Sequence, residues 1–93
     1  MKIIETFNAY NMIKNSPNAV TFIDSNICKD YIISGLNVSI YGSMREPDFE
    51  NEGGPRYNVQ IRNMNDKGKT RHFDGLAARI LFNAMVKKHN RQK

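Results

Sequence analysis

The sequence predicts an α+β fold: a small antiparallel sheet of three to four strands flanked by an N-terminal and a C-terminal helix. Three observations carry that prediction. Apolar residues near the start recur at helical spacing, apolar and polar residues alternate through the middle, and a long stretch after Asp74 is again helical in period. No repeat, low-complexity tract or linker divides the chain, so residues 1–93 read as a single domain. Two helices bracketing a run of antiparallel strands pack most economically on one face of the sheet.

Each element has its own justification. Within residues 2–15, Ile3, Phe7, Tyr10 and Lys14 are spaced by four, three and four. That spacing sets them on one face of an amphipathic helix, with Ile4 and Ile13 at its flanks. Asn15-Ser16-Pro17-Asn18 ends the helix, because proline biases the residue before it away from helical backbone. Residues 19–33 admit more than one reading: AVTFI suits a short strand, while SNICKD suits either a turn or one turn of helix. Beyond Ile33, the residues Leu36, Val38 and Ile40 alternate with Asn37, Ser39 and Tyr41, as in a half-buried strand that closes at Gly42 and Ser43.

The next segment, MREPDFENEGGP over residues 44–55, is a long connection. Its prolines and glycines oppose regular structure, and Glu46, Asp48, Glu50 and Glu52 keep it solvated. Phe49 inside it either tucks back as an anchor or stands exposed to a partner. Tyr57, Val59 and Ile61 then alternate with Asn58, Gln60 and Arg62 in a further strand. Asn65-Asp66-Lys67-Gly68 suits a type I turn followed by a left-handed glycine. That turn sets Asn65 opposite Lys69, Arg62 opposite His72 and Ile61 opposite Phe73, with Lys67, Lys69 and Arg71 crowding the tip.

Asp74 suits the N-cap of a closing helix that runs from residue 75 to about residue 89. Ala77, Ile80, Leu81, Ala84 and Met85 form its expected inner stripe, and Leu76, Phe82 and Val86 widen that stripe. Only Arg79, Asn83 and Lys87 make a polar line. A helix this apolar must cover the sheet and meet something more. The first helix is the favoured neighbour; the other is a second chain, as in a homodimer through this helix, with Phe82 at the contact.

Charge is unevenly placed. The net charge is +5. Residues 1–44 balance, residues 45–56 set two arginines against four acids, and residues 57–93 set nine Lys and Arg against Asp66 and Asp74. The basic half therefore carries the candidate partner-binding residues: Arg62, Lys67, Lys69, Arg71 and His72 of the hairpin, and Lys87, Lys88 and Arg91 of the tail, together with Phe82.

An enzyme is not expected. His72 and His89 fit no metal-ligand spacing, and Gly53-Gly54 is followed by Pro55 and a strand rather than by a phosphate-binding helix. The four acids of residues 46–52 lack the spacing of a calcium loop. The single cysteine, Cys28, excludes an internal disulfide and a multi-cysteine zinc site. No metal and no cofactor are expected. No apolar run approaches the roughly 20 residues of a membrane span. The start, MKIIETFNAY, lacks a signal peptide's apolar core and cleavage site, so the expected location is the cytoplasm, the host's if the chain is phage-encoded.

Two resemblances bear on the partner. The helix, strands, helix order, with Gly54-Pro55 in a loop, is similar to double-stranded-RNA-binding domains. This sequence departs from them where they grip phosphate. Its second helix opens Asp74-Gly75-Leu76-Ala77-Ala78 with Arg79 as the only cation, and Arg56 stands where that family has a loop histidine. That resemblance implies a basic module that binds RNA or DNA directly, with no site residue carried over. In its small size, its richness in Asn, Lys and Met and its missing catalytic constellation, the chain also resembles the small orphan proteins of bacteriophages, including anti-CRISPR and other anti-defence inhibitors. That likeness of type is ranked first. It implies a non-enzymatic inhibitor that blocks a host nucleic-acid-handling complex by contact with protein, or with protein and its bound nucleic acid.

Overall fold

The computed structural model describes residues 2–25, 28–45, 55–64 and 67–92. The order is α1 (Lys2–Asn15), β1 (Val20–Asp24), β2 (Cys28–Ser34), β3 (Val38–Arg45), β4 (Arg56–Asn63), β5 (Lys69–Asp74) and α2 (Gly75–Arg91). The five strands form one antiparallel sheet in sequence order. The α+β class and the two flanking helices are as predicted. The sheet has five strands rather than three to four, because residues 19–33 hold two strands instead of one.

Local chemistry explains the extra pair. Val20 lies opposite Ile33 and Phe22 opposite Tyr31, so two apolar pairs join β1 to β2 on one face. The Ser25 N–H donates to the Cys28 carbonyl (2.9 Å) where the chain reverses. Leu36, expected within a strand, is instead 95% exposed between β2 and β3. The Gly35 N–H donates to the Val38 carbonyl across that tight turn (2.8 Å), which leaves no room to count Leu36 into the sheet. Strand β3 also runs on past Gly42 and Ser43. A methyl group added at Gly42 would lie 2.7 Å from Met85 Sδ, so glycine there admits the overlying helix instead of ending the strand.

One face of the sheet is the core. Val20, Tyr31, Ile33, Ile40, Val59, Ile61 and Phe73 are buried on it beneath Ala9 and Ile13 of α1 and Ala78, Leu81, Phe82 and Met85 of α2. The first helix is the neighbour of α2, as favoured, and the two meet at their C-terminal ends. The stripe of α2 is rotated from the expected one. Ala78 and Phe82 point inward, while Ile80 is 43% and Leu76 72% exposed. The expected inner face of α1 is likewise displaced: Ile3 and Phe7 are 75% and 64% exposed, and Ala9 and Ile13 are buried in their place. A small residue at position 9 lets α1 approach the sheet closely, and Tyr10 and Lys14, at the end of the expected line, face α2 instead.

The hairpin register also differs. Val59 pairs with Phe73, Gln60 with His72, Ile61 with Arg71, Arg62 with Thr70 and Asn63 with Lys69. The slip from the expected register is two residues, so every side chain keeps its face while changing its opposite number. Met64 to Gly68 form a five-residue connection in which Lys67 (φ 57) and Gly68 (φ 73) are left-handed. The Met64 N–H donates to the Asn37 carbonyl of the neighbouring turn (2.8 Å), which holds position 64 outside the β4–β5 ladder. Asn65 and Asp66, like the acidic connection with Phe49, lie outside the described residues.

Asp74 occupies the N-cap of α2 with extended backbone but makes no side-chain capping hydrogen bond. Asp74 still pairs with Asn58 in the ladder, so β5 passes directly into the helix. Among the described residues no helix is long and apolar enough to cross a membrane.

Candidate functional site: a basic cleft between the helix ends

The C-terminal ends of the helices enclose a cleft of about 500 Å³ lined by Tyr10, Lys14, Pro17, Asn18, Ala19, Ala84, Lys87, Lys88, Arg91 and Gln92. Four of these residues are cations and none is an acid. Two side chains from the end of α2 fasten the walls. Lys88 Nζ donates to the Ser16 carbonyl (2.7 Å) in the turn after α1. Gln92 grips the outer edge of β1: its Nε2 donates to the Val20 carbonyl (3.0 Å), and its Oε1 accepts from the Val20 N–H. The amide thus stands in for a neighbouring strand at an otherwise open sheet edge. Lys14, Lys87 and Arg91 are exposed and direct their charge to solvent and to any ligand.

Of the residues singled out in the sequence, Lys87, Lys88 and Arg91 therefore share one site. Lys14 completes it and was not among them. Its position at the end of the line through Ile3, Phe7 and Tyr10 was visible, but the partner of that line was not.

The hairpin residues do not form a second cluster. Arg62 and His72 lie on the open face of the sheet, opposite Thr70 and Gln60 respectively. Lys69 and Arg71 lie on the helix side, and Lys67 sits in the turn. Arg71 Nη1 donates to Glu5 Oε1 of α1 (3.4 Å), a half-exposed pair worth about 0–1 kcal/mol. Phe82 is no partner contact. It is 5% exposed, and its ring meets Tyr31 and Tyr57 edge-on at centroid distances of 5.2 and 5.4 Å. Phe82 belongs to the core and offers almost no surface to a second chain.

The remaining titratable groups fall elsewhere. Cys28 Sγ lies 3.2 Å from Asp30 Oδ1 and 3.3 Å from Ser43 Oγ on the open face. His72 is three strands away on β5, and His89 packs against Phe22 and Tyr31 at 5.7 and 5.6 Å, so neither histidine pairs with the thiol. Among the described residues no group of three His, Cys, Asp or Glu is placed to hold a metal ion.

Two tyrosines titrate above their usual value of 10.0. Burial raises Tyr31 most, with the charge of Asp24 adding to it; burial also leads for Tyr41, followed by its hydrogen bond to Asp30. A group whose folded pKa is raised holds its proton more tightly in the native state. Its contribution to stability is therefore fully present below the unfolded value and is lost as pH rises through the folded one. Thermal melts should be level up to about pH 9 and fall above pH 10. Tyr41→Phe should make that fall shallower. A melting temperature that climbed above pH 10 would contradict the assignment.

No protein-family model, no curated protein and no solved structure matches this chain.

Proposed function

We propose that the chain is a non-enzymatic binding protein of the small phage-inhibitor type, acting by contact with a nucleic-acid-handling protein complex. The observation that supports this reading is the basic cleft. Residue 14 and residues 87–91 come from opposite ends of the chain and converge with no acid beside them among the described residues that line the cleft. Such a surface attracts an acidic target and speeds its encounter.

Direct binding of RNA or DNA is the second reading, favoured by the same four cations, which suit phosphates. The fold weighs against the double-stranded-RNA-binding pattern, since five strands separate the helices and α2 opens with exposed Leu76.

Capture of a partner from bacterial lysate, with and without nuclease, separates the two readings. Capture that persists after nuclease is the expected result. Capture that vanishes would assign the cleft to nucleic acid and overturn the first reading.

A further inference from the structure

The two edges of the sheet are finished differently. At the β1 edge, the Gln92 amide occupies both main-chain groups of Val20. At the other edge β5 is last in the strand order, and among the described residues no further strand lies beyond it. The turn before β5 shows which groups that edge leaves outward. The Met64 N–H donates to Asn37, on the β3 side, and the Asn63 carbonyl accepts from the Gly68 N–H (3.2 Å), on the β5 side. Main-chain groups alternate between the two neighbours along a strand. Asn63, Ile61 and Val59 therefore bond toward Lys69, Arg71 and Phe73, and the N–H and C=O of Thr70 and His72 point away from the sheet. Both residues are exposed. Pairing with β4 is continuous, and β5 contains no proline, so the strand itself is a sound template for a further one.

Charge along this edge selects what pairs with it. At the turn end, residues 62–71 set Arg62, Lys67, Lys69 and Arg71 against Asp66. The opposite end begins at Arg56, where the chain emerges from the connection that carries Glu46, Asp48, Glu50 and Glu52. One end is thus net basic and the other net acidic, even with Arg45 and Arg56 counted. A strand of the same chain laid antiparallel sets each basic end against the other copy's acidic end. Arg56 lies one strand in from the edge, so the turn of a paired copy passes about two strand spacings, roughly 10 Å, from it. That is within the range of charge at ordinary salt.

We propose that β5 pairs antiparallel with β5 of a second copy, joining the two sheets across a two-fold axis. Such a pair consumes both β5 edges and closes at two. The first turns of α1 lie above the same edge, because Glu5 and Asn8 share a hollow with Arg71 and Phe73. Ile4, one turn before Asn8 on the same line, is 68% exposed, so apolar surface stands beside the ladder for the pair to bury. A foreign extended segment would satisfy the same main-chain groups, but the complementary ends are a property of this chain. The basic cleft lies toward β1, beside Ala19 and Gln92, and stays open in both copies. The pairing therefore stands apart from the proposed function.

Sedimentation velocity of the full chain over a wide concentration range at low salt tests this. A monomer–dimer equilibrium with no larger species is expected. His72→Pro removes an outward N–H and spares the bonds to β4, so the dimer should weaken by about tenfold or more while the circular dichroism of the monomer is unchanged. A charge exchange gives a second reading that does not touch the backbone. Lys67→Glu with Lys69→Glu, and separately Glu50→Lys with Glu52→Lys, should each weaken the dimer by about tenfold. Mixing the two variants should restore it as a heterodimer, because both ends then again join opposite signs. A native chain that stays monomeric overturns the proposal, and so does growth into species larger than a dimer. A dimer indifferent to His72→Pro and to both charge variants lies elsewhere on the surface and overturns it as well. Charge variants that lose the dimer and do not regain it on mixing overturn the antiparallel arrangement. A monomer whose capture of another protein is lost with His72→Pro would give the edge to a foreign strand.

Discussion

Phe82→Ala should cost about 3–5 kcal/mol of folding stability, the range for removing a fully packed aromatic ring. The ring is 5% exposed, lies edge-on to Tyr31 and Tyr57, and sits over the bare backbone of Gly42. Truncation would strip an edge-on partner from both tyrosines at once. It would also open a void beside Met85, which is fully buried and can relax only part of the way into it. A domain of this size has on the order of 5–15 kcal/mol in total, so the loss is about a fifth of the whole or more. Urea titration should show the midpoint falling steeply at a nearly constant slope. A variant with an unchanged midpoint but weakened partner capture would contradict the core placement and restore Phe82 as a surface contact.

That residue also shows where the sequence was readable and where it was not. The period of α2 was plain, and Leu81 and Met85 were placed inward correctly from it. Whether the stripe turned toward Ile80 or toward Phe82 depended on which side α1 would cover, and no pattern internal to α2 records that. The same holds for α1. Ile3, Phe7, Tyr10 and Lys14 share a line by spacing, but Ile3 and Phe7 are exposed and Tyr10 and Lys14 border the cleft beside α2, while Ala9 and Ile13 are buried. Spacing identifies a face; it does not say what the face meets.

The hairpin register was missed for a different reason. Alternation fixed the side to which Val59, Ile61 and Phe73 point, since that parity survives a slip of two residues. Opposite numbers depend on the length of the connection, and there a backbone bond from Met64 to Asn37, a residue of another turn, decided the count. The candidate site was half legible. A basic tail at a helix C-terminus announced Lys87, Lys88 and Arg91. That Lys14 would join them required the helices to lie with their ends together, which is a tertiary fact.

Reversing Lys14, Lys87 and Arg91 together to glutamate should leave the fold intact and reduce partner affinity by about a hundredfold or more. All three are exposed and lie off the core, where substitutions usually cost within about 0.5 kcal/mol each. Lys88 is left in place because its bond to the Ser16 carbonyl ties α2 to the turn after α1. Each reversal removes an attraction of up to about 1 kcal/mol and adds a repulsion of similar size, so three amount to about 3 kcal/mol or more. Reversing Lys67 and Lys69 in the hairpin changes the net charge two-thirds as much but leaves the cleft untouched, and should have an effect far smaller than that proportion. That contrast separates a site from a general field. Salt gives an independent reading of the target: neutralising three duplex phosphates predicts a log–log slope near −2.7, at about −0.9 per phosphate. A protein contact with an apolar centre and a charged rim should respond more weakly, because its apolar part is insensitive to screening. Equal losses from the cleft and hairpin variants would show that only net charge matters. No loss from either would remove the basic half from recognition altogether and leave its cations as a solvated surface.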